Sequence, residues 1–106
     1  MPTSLPEPVQ RVIDAVNAGD GDAFVAAFTE IGAVNDRGRE FPGRMAIREW
    51  SDAELIGRGA TLAPTAATVE GNRVAVVATV GGDGLGSGTF TFTLSGPRVS
   101  RMAITE

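Results

Sequence analysis

Cysteine, histidine, tyrosine and lysine are all absent from this 106-residue sequence, and all nine of its basic residues are arginine. Without histidine or cysteine, the usual zinc and transition-metal sites and the thiol and serine–histidine nucleophile systems are excluded. Without lysine there is no Schiff-base amine, and without tyrosine there is no phenolic acid or oxyanion donor. Any proton transfer must therefore use an aspartate or a glutamate, and we expect neither a metal nor a cofactor.

The charge pattern and the lack of long apolar runs exclude further classes of function. The formal charge is −4 and no basic cluster occurs, so the electrostatic footprint of a nucleic-acid-binding protein is missing. No apolar run approaches the roughly 20 residues that span a bilayer. The start, MPTSLPEP, has neither the charged nor the apolar part of a signal peptide. We expect no nucleic-acid partner, no membrane association and a cytoplasmic location.

The first half of the sequence predicts three helices. A stripe of valines and isoleucine predicts a helix over residues 5–17 that ends at Gly19. Asp20 or Asp22 can cap a second helix, in which Phe24 and Phe28 would point toward the core. Residues 44–56 predict a third helix with Ile47 and Trp50 inward, ended by glycines, with two exposed ion pairs: Arg48/Asp52 and Glu54/Arg58.

The remaining segments predict strands. A short hairpin is expected around Asn-Asp-Arg-Gly, after the helical start and before the third helix. From residue 60 onward, four β-branched, alternating segments joined by short turns predict an antiparallel meander. Pro64 places the first of these four strands at an edge. Residues 1–106 are therefore predicted to form one α+β domain.

The glycine-rich stretch GGDGLGSG, residues 81–88, raises the question of a phosphate-binding loop. Phosphate loops present their amides at a helix N-terminus, whereas a strand follows this stretch. A hairpin connection is the favoured interpretation.

Three stretches together resemble the SnoaL-like branch of the NTF2-like superfamily, which also contains ketosteroid isomerase: VNAGDGDAFVAAF, the strand end Val34-Asn35-Asp36, and EFPGRMAIREW. The resemblance covers most of the chain. It implies a cone, in which a curved antiparallel sheet wraps around three N-terminal helices and encloses an apolar pocket for a hydrophobic small molecule. The ligand-contacting residues expected on this basis are Phe24, Phe28, Asn35, Phe41, Trp50, Phe90 and Phe92; packing in the core is the alternative for each aromatic residue.

The resemblance places Asp36 at the position of the catalytic base of ketosteroid isomerase. That enzyme pairs its base with a tyrosine and a protonated aspartic acid, but the corresponding positions here are Val12 and the vicinity of Phe90. Losing one such donor typically costs about 10²–10³-fold in rate, so steroid isomerisation is not expected. The related cyclases often use histidine, and the related epoxide hydrolases distribute Asp, Arg and Asp across the pocket. Here Asn35, Asp36 and Arg39 lie in one hairpin.

Asp36 therefore has two interpretations. In one, it belongs to the tight turn, bonds its own backbone, and Gly38 supplies the necessary φ freedom. In the other, it ends a strand at the pocket mouth, held by Arg37, Arg39 or Arg101, and acts as a catalytic acid/base.

Three functions remain open on the sequence alone. The first is a cofactor-independent isomerase, cyclase or hydrolase that uses Asp36. The second is a non-catalytic ligand-binding module of the same fold, and the third is a homodimeric scaffold. Because strand residues alternate, one apolar sheet face is expected outside, and we expect a homodimer through it. A second polar group beside Asp36 in the pocket would favour the enzyme.

Overall fold

The computed structural model describes residues 5–82 and 86–105. Its elements, in chain order, are the helices and strands α1 Glu7–Ala18, α2 Gly21–Ala26, β1 Phe28–Asp36, β2 Arg39–Pro42, α3 Gly43–Glu54, β3 Thr61–Glu70, β4 Arg73–Gly81, β5 Gly86–Ser95 and β6 Arg98–Thr105, with a 3₁₀ turn at Ile56–Arg58 after α3. None of the helices in these ranges is long and apolar enough to cross a bilayer. Part of the predicted glycine-rich connection, residues 83–85, lies outside the described residues.

Helix α1 forms where the apolar stripe predicts it, shifted slightly toward the C-terminus. Pro6 lies at its N-cap, and proline is compatible with a helix only near the start. The stripe is buried, and Gly19 ends the helix in a left-handed conformation with φ of 67°. The predicted end at this glycine is confirmed.

Helix α2 is shorter than the phenylalanine spacing predicts. The Asp20 side chain caps it by accepting a hydrogen bond from the Ala23 amide at 3.0 Å. The helix stops at Ala26, and Phe28 is already the first residue of β1, so placing Phe28 on the helix was wrong. The backbone N–H of Val99 donates to the Ala27 carbonyl, so β6 meets the chain at this point.

The six strands form one curved, open sheet in the order β2-β1-β6-β5-β4-β3. Strands β3 to β6 make the predicted antiparallel meander, and β3, which contains Pro64, is an edge strand as expected. The expectation of a wholly antiparallel sheet is wrong at one place, because β1 pairs with β6 in parallel. Between these two strands the chain passes through β2, α3 and strands β3 to β5, and β6 then runs beside β1 in the same direction.

The helices cover the concave face of the sheet, which confirms the α+β cone. Alternate residues of each central strand point into this core, including Val74, Val76 and Ala78 of β4. The residues between them, such as Ala75 and Val77, lie on the outer face. Val77 is 40% exposed, so the outer face retains apolar surface.

Candidate functional site

The hairpin between β1 and β2 places Asp36 and Arg39 side by side. Arg37 and Gly38 form its two-residue turn with φ of 53° and 97°, and two positive φ values are typical of the tight turn that matches strand twist. Asp36 and Arg39 are consequently cross-strand partners. The side chain that bonds the turn backbone belongs to Asn35, which accepts from the Gly38 N–H at 2.9 Å. Of the two interpretations of Asp36, the one in which it bonds the turn backbone is therefore wrong, since its carboxylate accepts from Arg39 and Trp50 instead.

The Asp36 carboxylate is held from two elements, and the residue is only 8% exposed. Trp50 on α3 donates its indole N–H to Oδ2 at 3.1 Å, and Arg39 donates to the same oxygen at 2.7 Å. Among the described residues, Oδ1 accepts no hydrogen bond. The pairing raises the pKa of the Arg39 guanidinium, mainly through the hydrogen bond to Asp36. One carboxylate oxygen is thus fixed, and the other is left to meet a ligand.

A cavity of about 240 Å³ opens beside this carboxylate. Its apolar floor comes from three strands: Val80 of β4, Phe90 of β5 and Ile104 of β6. Its polar wall contains Asp36, Arg37, Arg39, Trp50, Glu54 and Arg58. The volume lies below the roughly 300–1,000 Å³ common for drug-sized ligands, so the space suits a small ring system or part of a longer molecule.

Arg39, Glu54 and Arg58 form a charged wall at the cavity. Arg39 was expected as a possible partner of Asp36, and this is confirmed, but sequence reasoning missed Glu54 and Arg58 as part of the site. Arg39 reaches Glu54 at 3.5 Å, and Arg58 reaches the same carboxylate at 3.5 Å. The predicted Glu54/Arg58 pair therefore exists, but it lines the cavity. For Arg39, the sequence did contain a signal: a two-residue turn makes the residues on either side of it, Asp36 and Arg39, neighbours.

The same wall borders a second, outer groove of about 630 Å³ between β2 and α3. Phe41, Pro42 and Met45 supply its apolar side. Trp50 lines both spaces and contacts the Phe41 ring at 6.1 Å between centroids. Trp50 is thus the partition between the cavity and the groove.

The structure brings some of the predicted ligand contacts together and separates others. Trp50 and Phe90 line the cavity with Asp36, and Phe41 lines the outer groove. Phe24, Phe28 and Phe92 are completely buried in the core. Phe24 and Phe28 pack edge to face at 5.3 Å between centroids, and the Phe24 centroid lies 6.4 Å from that of Trp50, which lines the cavity.

Asn35 lies outside the cavity, on the opposite face of β1 from Asp36. Its amide donates to Glu40 at 2.8 Å, and Arg101 also binds Glu40, at 2.8 Å. Arg101 was expected as a possible partner of Asp36, and this expectation is wrong. Asn35, Glu40 and Arg101 instead brace the hairpin against β6 from outside.

This brace predicts a pH dependence of stability. The hydrogen bonds from Arg101 and then Asn35 hold the pKa of Glu40 below its ordinary value of 4.5. A carboxyl whose pKa is lower in the folded state stabilises the fold above its unfolded pKa, and this contribution is lost as the pH falls through the folded pKa. Wild-type protein should therefore melt at a higher temperature than Glu40→Gln at pH 7, with the gap closing below about pH 4. A gap that persists unchanged at pH 3 would contradict the brace.

The geometry around Asp36 suits acid/base chemistry. Its Oδ1 can accept a proton from a molecule in the cavity, while Trp50 and Arg39 keep the carboxylate oriented. The nearby guanidinium groups can stabilise negative charge that develops on the ligand. No cluster of three acidic side chains able to hold a metal ion occurs in residues 5–82 and 86–105.

Comparison with known proteins agrees with this fold. A candidate polyketide cyclase from Sinorhizobium meliloti is 30% identical over 95% of both chains, with a TM-score of 0.88. SalBIII, an epoxide hydrolase/cyclase-like enzyme of pyran ring formation in salinomycin, is 25% identical, with 93% of this chain and 87% of that chain covered and a TM-score of 0.82. An NTF2-like protein of unknown function from Cytophaga hutchinsonii is 15% identical, with 98% of this chain and 92% of that chain covered and a TM-score of 0.80. This likeness shows the fold alone.

No curated protein matches the sequence significantly. The family model of the SnoaL-like domain matches residues 9–104, which is nearly the whole chain. The matched range includes both sides of the cavity, from the Asp36 hairpin to Ile104 on β6. The chain therefore belongs to the SnoaL-like domain family, within the NTF2-like fold.

Proposed function

We propose that this protein is a cofactor-independent acid/base enzyme acting on a small, largely hydrophobic molecule, with Asp36 as the catalytic residue. The observation that carries the proposal is the arrangement of the Asp36 carboxylate. It is almost buried, one oxygen is fixed by Trp50 and Arg39, and the other has no partner among the described residues. Because Oδ1 is not fully buried, it can meet a molecule in the cavity, as a general base must.

In the proposed reaction, Asp36 Oδ1 takes a proton from a carbon next to a carbonyl group. The C–H bond breaks, its electron pair moves toward the carbonyl oxygen, and the resulting enolate lies near the arginines of the charged wall. Return of the proton to another carbon would complete an isomerisation. Alternatively, attack of the carbanion on a second carbonyl carbon would close a ring by forming a C–C bond, and the resulting alkoxide would take the proton back from Asp36. The name of the candidate polyketide cyclase from Sinorhizobium meliloti supports the second outcome.

A non-catalytic ligand-binding module is the second candidate. Arg39 already forms an ion pair with Asp36 at 2.7 Å, so the carboxylate can serve to hold Arg39 in the charged wall. Three of the six aromatic side chains fill the core completely, and the cavity beside Asp36 is small. Under this alternative the cavity binds its ligand without changing it.

An experiment with 5-nitrobenzisoxazole separates the two candidates. Loss of a single carbon-bound proton opens the ring of this compact apolar probe, so it reports an accessible general base. Trp50 is the only tryptophan in the chain, and its fluorescence reports occupancy of the cavity independently. The proposal predicts saturable ring opening that is faster than catalysis by an equal concentration of acetate.

A cavity-filled variant provides the control. Val80→Phe should fill the space above the strand ends and remove both the saturable rate and the fluorescence change. Fluorescence quenching without turnover in the wild-type protein would favour the binding module. Turnover that survives in the filled variant would contradict catalysis in this cavity.

We also propose that the protein is a homodimer through the outer face of the sheet. Ala75 and Val77 of β4 face outward there, beside the threonines of β5. Light scattering at high micromolar concentration should give the mass of a dimer, and Val77→Arg should shift it toward the monomer. A wild-type monomer at that concentration would refute this arrangement. The predicted cytoplasmic location stays a prediction.

A further inference from the structure

A polar cleft of about 380 Å³ lies away from the Asp36 cavity and shares no lining residue with it. Three parts of the fold meet there: the start of β1, the start of α3, and the hairpin between β5 and β6. The lining residues are Thr29, Glu30, Arg44, Ser95 and Arg98. Ser95 and Arg98 are cross-strand partners, so the hairpin presents both from one place.

The cleft is lined by two arginines that have no carboxylate partner among the described residues. Five arginines form ion pairs within the described residues: Arg11, Arg39, Arg48, Arg58 and Arg101. Arg37 also has an interaction partner. The three arginines without a carboxylate within 4 Å, counted in the same part of the chain, are Arg44, Arg73 and Arg98. Two of these three line the cleft, although the protein as a whole is acidic.

Two buried polar atoms at the cleft also lack a protein partner in the described ranges. They are Arg44 Nε and Thr29 Oγ1. Arg44 uses another nitrogen to donate to the Phe28 carbonyl at 2.7 Å, which fixes its guanidinium. A buried donor left without an acceptor typically costs about 1–3 kcal/mol, and more when it is charged. An acceptor from outside the chain would remove this cost.

We propose that this cleft is a binding site for an oxyanion, a phosphate or carboxylate group, separate from the Asp36 cavity. Arg44 and Arg98 supply the charge, while the hydroxyls of Thr29 and Ser95 supply neutral hydrogen bonds. Arg44 is the second residue of α3, where the positive end of the helix dipole adds to the attraction. Glu30 is the one acidic residue of the lining, so the side chains carry a net positive charge of one.

NMR titration with inorganic phosphate, and separately with acetate, tests the proposal on the full chain. Sodium chloride keeps the ionic strength constant, because exposed charges respond to added salt without specific binding. The side-chain Nε–H signal of Arg44 should shift and saturate with at least one of the two anions. Saturation with phosphate alone assigns a phosphate site, and saturation with both assigns a general oxyanion site.

Two arginine variants provide a matched comparison. Arg98→Gln removes an exposed cleft arginine and should weaken binding at least tenfold, whereas Arg73→Gln removes an unpaired arginine outside the cleft and should leave binding unchanged. Arg98 is changed instead of Arg44 because Arg44→Gln would also remove a hydrogen bond to the β1 backbone and could disturb the fold. Shifts that do not saturate with either anion, or equal weakening in the Arg73 and Arg98 variants, would overturn the proposal.

Discussion

Asp36→Asn should reduce turnover of 5-nitrobenzisoxazole by about 10²–10⁴-fold, the usual contribution of a general base. Asparagine keeps the size of the side chain and can still accept a hydrogen bond from Trp50, but its amide cannot take the proton. Binding of the probe, read from Trp50 fluorescence, should be retained. A fall in the turnover rate with little change in affinity means that the lost interaction belongs to the transition state.

Asp52→Asn is the matched control for this substitution. Asp52 is an exposed carboxylate on α3 that interacts with Arg48 at 3.4 Å and does not line the cavity. Its loss should leave turnover unchanged. Equal rates in the wild-type and Asp36→Asn proteins would remove Asp36 from the chemistry and leave the binding module as the better account.

Trp50→Ala should lower the free energy of unfolding by about 3–5 kcal/mol, the usual cost of deleting a large buried aromatic side chain. Trp50 is only 4% exposed. Its ring packs near Phe24 and Phe41, with 6.4 Å and 6.1 Å between centroids, and its N–H binds Asp36. Because the variant contains no tryptophan, urea denaturation should be followed by far-ultraviolet circular dichroism.

Two further variants separate the contributions of Trp50. Trp50→Phe keeps an aromatic ring but removes the donor to Asp36, so it should cost about 1–3 kcal/mol, the usual penalty for a lost buried hydrogen bond. Met45→Ala on the same helix removes a side chain that is 80% exposed and should change stability by no more than about 0.5 kcal/mol. A loss below about 1 kcal/mol for Trp50→Ala would mean that the ring does not stabilise the core.

Local patterns in the sequence predicted the helices, the meander and the edge position of Pro64, because each depends on neighbours in the chain. The residues between Ala26 and Gly32 were harder to assign. Phe28 fits a helical stripe by spacing, but pairing with Val99 on β6 makes it a strand residue. The parallel contact between β1 and β6 depends on where the chain returns after about 60 residues, which local periodicity does not encode.

The candidate site was predictable in part for the same reason. Family resemblance indicated Asp36, and helix periodicity pointed Trp50 inward, but neither indicated that the two side chains would bond. Arg39 became part of the site because a two-residue turn sets it opposite Asp36. Glu54 and Arg58 fit the pattern of an exposed helix pair, and only the packing of the α3 C-terminus over the strand ends brings them to the cavity.

The most direct measurement of the central claim is a crystal structure of the protein with 5-nitrobenzotriazole, an unreactive analogue of the probe. If Asp36 is the base, the analogue should lie over Val80, Phe90 and Ile104, and its ring N–H should donate to Asp36 Oδ1 within about 2.6–3.2 Å. Trp50 and Arg39 should remain bonded to Oδ2. A ligand seated only in the outer groove between β2 and α3, or a carboxylate with both oxygens bound to protein groups, would contradict the assignment of Asp36 as the catalytic residue.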